Sequence, residues 1–81
     1  MLMNENMIGE QFLIEKVNGS EDVKKVLETI GIMEGVTINI LGKGHLEGSM
    51  MVNVNNIYFQ LNPYFVKILE GSLVNELKRS K

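Results

Sequence analysis

The sequence has no cysteine and no tryptophan, one histidine and one proline, and its aromatics are three phenylalanines and two tyrosines. Without cysteine there is no disulfide, no thiolate nucleophile and no cysteine-built zinc site. Small secreted domains lean on such cross-links, so a reducing cytoplasm is the expected compartment. The lone His45 has Glu47 two residues on and no further donor close in sequence. A stable zinc or iron site takes about four donors or more, so His45 reads as a solvated loop residue and no metal site is assigned. A nucleophile such as Ser49 would need a neighbouring base and a third, orienting group. Neither is evident, nor is a pair of carboxylates in one cleft, so the chain reads as a non-enzyme with no cofactor. No apolar run approaches the roughly 20 residues that cross a bilayer, which argues against direct membrane insertion. The opening Met1-Leu2-Met3-Asn4-Glu5-Asn6 has no basic region and no long apolar region, so it does not read as a signal peptide. Positive charge is scarce too. The net charge is −2, and apart from Lys78-Arg79-Ser80-Lys81 the basic residues are scattered. Nucleic acid is therefore not an expected partner, and the basic tail reads as a solvated terminus.

What is present is organised around Ser20–Leu41. Val23, Val26, Leu27 and Ile30 fall at i, i+3, i+4 and i+7, one face of a helix. Ser20 is placed to cap it, and Glu21 and Asp22 sit where the helix dipole favours carboxylates. Glu21 stands four residues before Lys25, the better orientation for a surface pair. Gly31 suits the left-handed residue past the last turn, which would fold Ile32 back on Leu27. Met33-Glu34-Gly35 reads as a second reversal. From Val36 the period becomes two, with Val36, Ile38 and Ile40 on one face and Thr37 and Asn39 on the other.

Before the helix, Met1–Met7 reads as a loose lead-in, with Met7-Ile8 placed to tuck against the domain. Gly9–Val17 reads as a strand, with a bulge near Glu15-Lys16 so that Ile14 and Val17 can share a face. After Leu41, the three glycines of Gly42–Ser49 predict a flexible loop. Their order does not fit a phosphate-binding loop. Met50–Leu61 predicts a hairpin turned at Asn55-Asn56. That register pairs Val54 with Ile57, Val52 with Phe59 and Met50 with Leu61, all toward one face. Met51, Asn53, Tyr58 and Gln60 then project to the other. Asn62-Pro63 predicts a capped turn of helix. Val66–Leu69 reads as a closing strand, and Gly71-Ser72 as the start of a tail. Ser72 could cap a last short helix over Leu73–Lys78.

At 81 residues the chain is expected to be one domain, with its core at about residues 8–70 and a tail over 71–81. Short strands that bury one face and must manage their edges favour a small, partly open barrel. Of the six methionines, Met50 alternates into the expected core. Met33 and Met51 are the candidates for surface contacts. An exposed strand edge leaves self-association open.

Gly9 with Ile14 and Val17, then Leu27-x-x-Ile30-Gly31-Ile32-x-x-Gly35-x-x-Ile38-x-Ile40-Leu41, resembles the ferrous-iron transport protein A (FeoA) family. The Val52-x-Val54…Ile57-x-Phe59-x-Leu61 hairpin and the return at Ile68 fit the same pattern, which covers about residues 8–70. The resemblance implies a mainly β fold, a small SH3-like β-barrel of about five strands with one helix inserted after the first strand. It implies a non-catalytic, cytoplasmic accessory that binds the GTP-binding portion of the membrane ferrous-iron transporter FeoB. Docking is expected through the turn Ile32, Met33 and Glu34, with Met51 and Tyr58 as adjoining contacts. The competing readings are a generic SH3-like peptide binder and a stand-alone relative of the barrel in iron-dependent repressors. The first lacks the aromatic groove such binders use, and the second lacks a DNA-reading helix pair. Three positions depart from the family pattern. Glu34 stands where many members have proline, Asn56 where a hairpin glycine is common, and Asn62-Pro63-Tyr64 where basic residues are frequent.

Overall fold

The structure is a computed structural model and describes residues 1–79. Five antiparallel strands form one sheet: β1 (Gln11–Val17), β2 (Thr37–Lys43), β3 (Met50–Val54), β4 (Ile57–Leu61) and β5 (Leu69–Leu73). Their order across the sheet is β4-β3-β2-β1-β5. Helix α1 (Glu21–Thr29) separates β1 from β2, α2 (Pro63–Ile68) separates β4 from β5, and α3 (Val74–Arg79) follows β5. The strands curl round one apolar interior, and β4 and β5 are its unjoined edges.

Alternation explains which side chains go inward. Phe12, Ile14, Ile38, Ile40, Val52 and Val54 are all sealed from solvent. Ile14 and Val17 reach the same interior because the β1–β5 register shifts between Ile14 and Lys16. That is the expected bulge, one extra residue that turns two odd-spaced side chains to one face. The hairpin register is the expected one, Val54↔Ile57, Val52↔Phe59 and Met50↔Leu61. Asn55 and Asn56 turn it with φ of 52° and 66°. Asparagine tolerates this region because its short polar side chain bonds locally.

Helix α1 starts as its sequence predicts, with the Ser20 hydroxyl accepting from the Val23 N–H at 3.2 Å. Its buried stripe is narrower than expected. Leu27 is fully buried, Val23 and Ile30 are partly so, and Val26 is 53% exposed. At 100° per residue Val26 lies about 60° off the Val23 direction, on the flank turned from the sheet. Lys24, not Lys25, meets Glu21, at 3.8 Å. Asn62 caps α2 by accepting from the Phe65 N–H at 2.8 Å, with Pro63 at the first helical position.

Both ends of the chain contribute more than expected. Met1–Met7 is not a loose lead-in. Met3 and Met7 are buried in the core, and Glu5–Met7 makes a turn of 3₁₀ helix capped by Asn4. Leu2 bridges to Glu70, the Met1 nitrogen donates to the Gly71 carbonyl at 2.9 Å, and the Gly71 N–H returns a bond to the Met1 carbonyl. Period-two reading missed this segment because two buried methionines four apart resemble neither a strand nor a full helix.

Val66 and Ile68 belong to α2 rather than to a closing strand, and the strand begins at Leu69. Gly71-Ser72 lies inside that strand, not at the start of a tail. The Ser72 hydroxyl donates to Glu15 at 3.0 Å instead of capping α3. Gly71 sits opposite Ile14, where an added Cβ would lie 1.9 Å from the Leu13 carbonyl oxygen. The strand passes β1 so closely that only glycine fits. The basic tail expected over Lys78–Lys81 lies partly outside the described residues.

Candidate interaction surface

Helix α1 ends in two interlocked reversals. Gly31, at φ +87°, follows the cap residue Ile30. The Gly31 N–H donates to the Glu28 carbonyl at 3.0 Å, and the Ile32 N–H donates to the Leu27 carbonyl at 2.9 Å. This is the paired-bond glycine stop, with Leu27 and Ile32 in the apolar contact that accompanies it. Both side chains are sealed in the core.

Met33–Val36 then makes a β-turn closed by the Val36 N–H donating to the Met33 carbonyl at 3.2 Å. Gly35 has φ +91°, which at the third position marks a type II turn with Glu34 at the second. Proline favours that second position, which Glu34 takes here. Strand β1 clamps the turn from below. The Gly35 N–H donates to the Ile14 carbonyl at 2.8 Å, and the Ile14 N–H donates to the Val36 carbonyl at 2.9 Å. A rigid base thus carries Met33, 41% exposed, and an exposed Glu34.

Beside the turn runs a shallow groove of about 320 Å³. Val17, Ile32 and Met33 supply its apolar surface, and Glu21, Lys24, Glu28 and Glu34 its polar one. Glu21, Lys24 and Glu28 lie at i, i+3 and i+7, so they form one face of α1. With Lys24 already beside Glu21, the groove is acidic on balance. Sequence reasoning fixed on the turn and missed this helical face. The signal was the charged i, i+3, i+7 row flanking the buried Val23-Leu27-Ile30 row.

The five residues nominated from sequence do not form one surface. Ile32 is 1% exposed and supports the turn from beneath. Met33 and Glu34 line the groove, whereas Met51 and Tyr58 do not. Tyr58, 70% exposed, ends an outward-facing row that runs through Asn53 and Asn39 to Gln11 across four strands. Half-buried Met51 shares that face, opposite Gln60.

A second cavity of about 610 Å³ lies under the 44–49 loop, lined among others by Met3, Glu5, Lys43, His45, Glu47 and Lys67. The loop predicted over Gly42–Ser49 is shorter than expected, because Gly42 and Lys43 belong to β2, and it carries bonds of its own. The Gly44 N–H donates to the Ser49 carbonyl, the Ser49 hydroxyl to the Leu46 carbonyl, and the His45 N–H to the Gln60 side chain at 2.7 Å. Glu5 contacts Lys43 at 2.9 Å, and its hydrogen bond, with its charge adding, holds the Lys43 ammonium above the usual lysine range. Among the described residues, no three His, Asp or Glu side chains are grouped to hold a metal ion.

The FeoA-domain family model matches residues 1–67 of this chain. The chain belongs to the FeoA family. That family is associated with ferrous-iron transport. No curated protein matches the chain. Among solved structures, the iron(II) transport protein A of Clostridium thermocellum aligns with a TM-score of 0.81 at 19% identity. The alignment covers 93% of this chain and 46% of that one, so this chain spans about half that protein's length. The FeoA-like protein of Clostridium acetobutylicum aligns with a TM-score of 0.76 at 18% identity, over 91% of this chain and 86% of that one. ScaR with bound Cd2+ aligns with a TM-score of 0.76 at 19% identity, over 89% of this chain and 35% of that one. At these identities the likeness establishes the fold. The SH3-like barrel with its helix after the first strand is the FeoA architecture, here with its sheet unclosed between β4 and β5. Among the described residues, no helix is long and apolar enough to cross a membrane.

Proposed function

We propose that this FeoA-family chain is a non-catalytic accessory of ferrous-iron uptake that acts in the cytoplasm. It docks on the GTP-binding portion of a FeoB-type transporter through the turn after α1. The observation that carries the reading is the clamped Met33–Val36 turn. It holds an exposed methionine and a carboxylate on a base fixed by Ile14, beside a groove with an apolar floor. A partner surface meeting it pays little ordering entropy on this side, because the turn is already in place.

The groove's chemistry narrows the partner segment. Glu21, Glu28 and Glu34 outnumber Lys24, so the segment that fits presents an apolar side chain flanked by lysine or arginine. Regulation would follow from differential affinity. A module that binds one nucleotide state of the partner better than another shifts it toward that state, and equal affinity shifts nothing.

The test is a calorimetric titration of the chain into the cytoplasmic domain of a FeoB-type protein, loaded with GDP or with a non-hydrolysable GTP analogue. Binding that differs between the two states, and that Met33→Ala with Glu34→Lys weakens about tenfold or more without lowering the melting temperature, is the expected result. No binding in either state removes the reading.

A further inference from the structure

The two edges of the sheet are treated differently. Along β5, the outward backbone groups of Gly71 are both taken by Met1, and Leu2 bridges to Glu70. The Glu70 carboxylate also accepts from the Asn18 side chain. That edge is covered by the chain itself and carries a charge. Along β4 no charged side chain and no outward backbone bond is present among the described residues, and the 44–49 loop reaches only the Gln60 side chain, through the His45 N–H.

The hairpin fixes which β4 groups are free. In a two-residue hairpin the residues flanking the turn exchange both backbone bonds, and this alternates along the ladder. Val54↔Ile57, Val52↔Phe59 and Met50↔Leu61 are therefore the bonded pairs. Tyr58 and Gln60 turn their N–H and C=O groups away from β3, toward the open edge. Among the described residues no backbone bond reaches them. The strand reads Ile-Tyr-Phe-Gln-Leu, with no charge, no proline and no glycine. The devices that keep an edge from pairing are absent from it.

From this edge we infer that β4 pairs with β4 of a second copy of the chain, antiparallel and centred on Phe59. The geometry selects that occupant. The free groups stand at Tyr58 and Gln60, symmetric about Phe59, so a two-fold axis through Phe59 sets Tyr58 of each copy opposite Gln60 of the other. All four free groups of each strand are then satisfied, and an uncharged strand meets its like without repulsion. The same register places Ile57 opposite Leu61 of the other copy. Ile57 carries the inward pattern of its strand yet is 55% exposed, and this pairing sets it beside the apolar Leu61 end of the other copy's strand. The two five-stranded sheets become one continuous sheet. The contact uses neither the Met33–Val36 turn nor its groove, so it stands or falls apart from the proposed docking.

The test uses the full chain. Sedimentation and light scattering over a concentration series are expected to show a monomer–dimer equilibrium. Tyr58→Pro removes an outward N–H and leaves the ladder to β3 intact, a place where an edge strand tolerates proline. It is expected to weaken dimerisation about tenfold or more with the circular dichroism spectrum kept. Because the chain has no cysteine, Phe59→Cys reports the register independently. The two positions fall on a non-bonded pair, where Cα atoms lie about 4.5 Å apart, within disulfide range. Mild oxidation is expected to give a covalent dimer, while the control Tyr64→Cys on α2 gives none. A chain that stays monomeric up to about 1 mM overturns the inference. So does a dimer that Phe59→Cys fails to cross-link.

Discussion

Ile32 and Leu27 are joined twice across Gly31, once by the backbone bond of 2.9 Å between the Ile32 N–H and the Leu27 carbonyl, and once by their side chains in the core. This double tie fixes where α1 stops and the direction in which Met33 and Glu34 are presented.

The tie predicts a contrast between neighbours in α1. Leu27→Ala removes a fully buried side chain and is expected to cost about 2–5 kcal/mol. Val26→Ala, one residue away on the exposed flank, is expected to stay within about 0.5 kcal/mol of the parent. Urea unfolding followed by circular dichroism measures both, and comparable losses at the two positions would contradict the packing described for α1.

Gly31→Ala tests the stop itself. At φ +87° an L residue is strained, and the new Cβ would lie 3.1 Å from the Asn55 side chain. The expected loss is about 1–2 kcal/mol. Gly31→Asn, which tolerates the left-handed region better, is expected to lose less unless Asn55 crowds it. Denaturation midpoints at unchanged slope are the readout.

Glu34→Pro should act in the opposite direction. The second position of a type II turn has the φ that proline fixes, and the Glu34 N–H has no bond within the described residues. The substitution lowers the entropy of the unfolded chain, so a gain of about 0.4–1 kcal/mol is expected. A loss of stability would mean that the turn is not of this type. The same variant removes a groove carboxylate, so partner binding should fall even as the melting temperature rises.

Gly71→Ala is expected to be the most damaging of the glycine replacements. Its Cβ would run into the Leu13 carbonyl oxygen, a backbone atom that cannot step aside. Strand β5 must then separate from β1, and the contacts of the N-terminal segment go with it. A loss of more than about 3 kcal/mol, with faster hydrogen exchange in both strands, is the expected result.

The Glu5–Lys43 pair makes a prediction in pH. The folded chain holds the Lys43 ammonium above its usual range, so the pair's contribution is fully present below the ordinary lysine pKa of about 10.4. It is lost as pH rises through the raised value of the folded state. A carbon-detected titration of the Lys43 side chain should find its midpoint above the ordinary lysine value, and Glu5→Gln should bring it down. Because both partners are exposed, global stability should barely move.

Much of this was legible because local physics fixes it. The Ser20 cap, the Gly31 stop, the bulge after Ile14 and the Asn55-Asn56 register each need only a few residues close in the chain. The groove face Glu21-Lys24-Glu28 was legible as a helical row, but its meaning depended on Glu34 arriving beside it. The misreadings share one cause. Met3, Gly71 and Ser72, and the exposure of Val26 depend on what distant parts of the chain bring into contact.

The sequence by itself determined α1 and its glycine stop, the bulge in β1 and the β3–β4 hairpin, because capping, turn chemistry and periodicity act over one or two turns of chain. Tertiary structure alone decided which strands became edges, which edge the N-terminal segment closed, and which apolar side chains stayed wet. Those outcomes depend on contacts between Met1 and Gly71, or on the absence of a neighbour for β4, and residues seventy apart leave no local pattern to read.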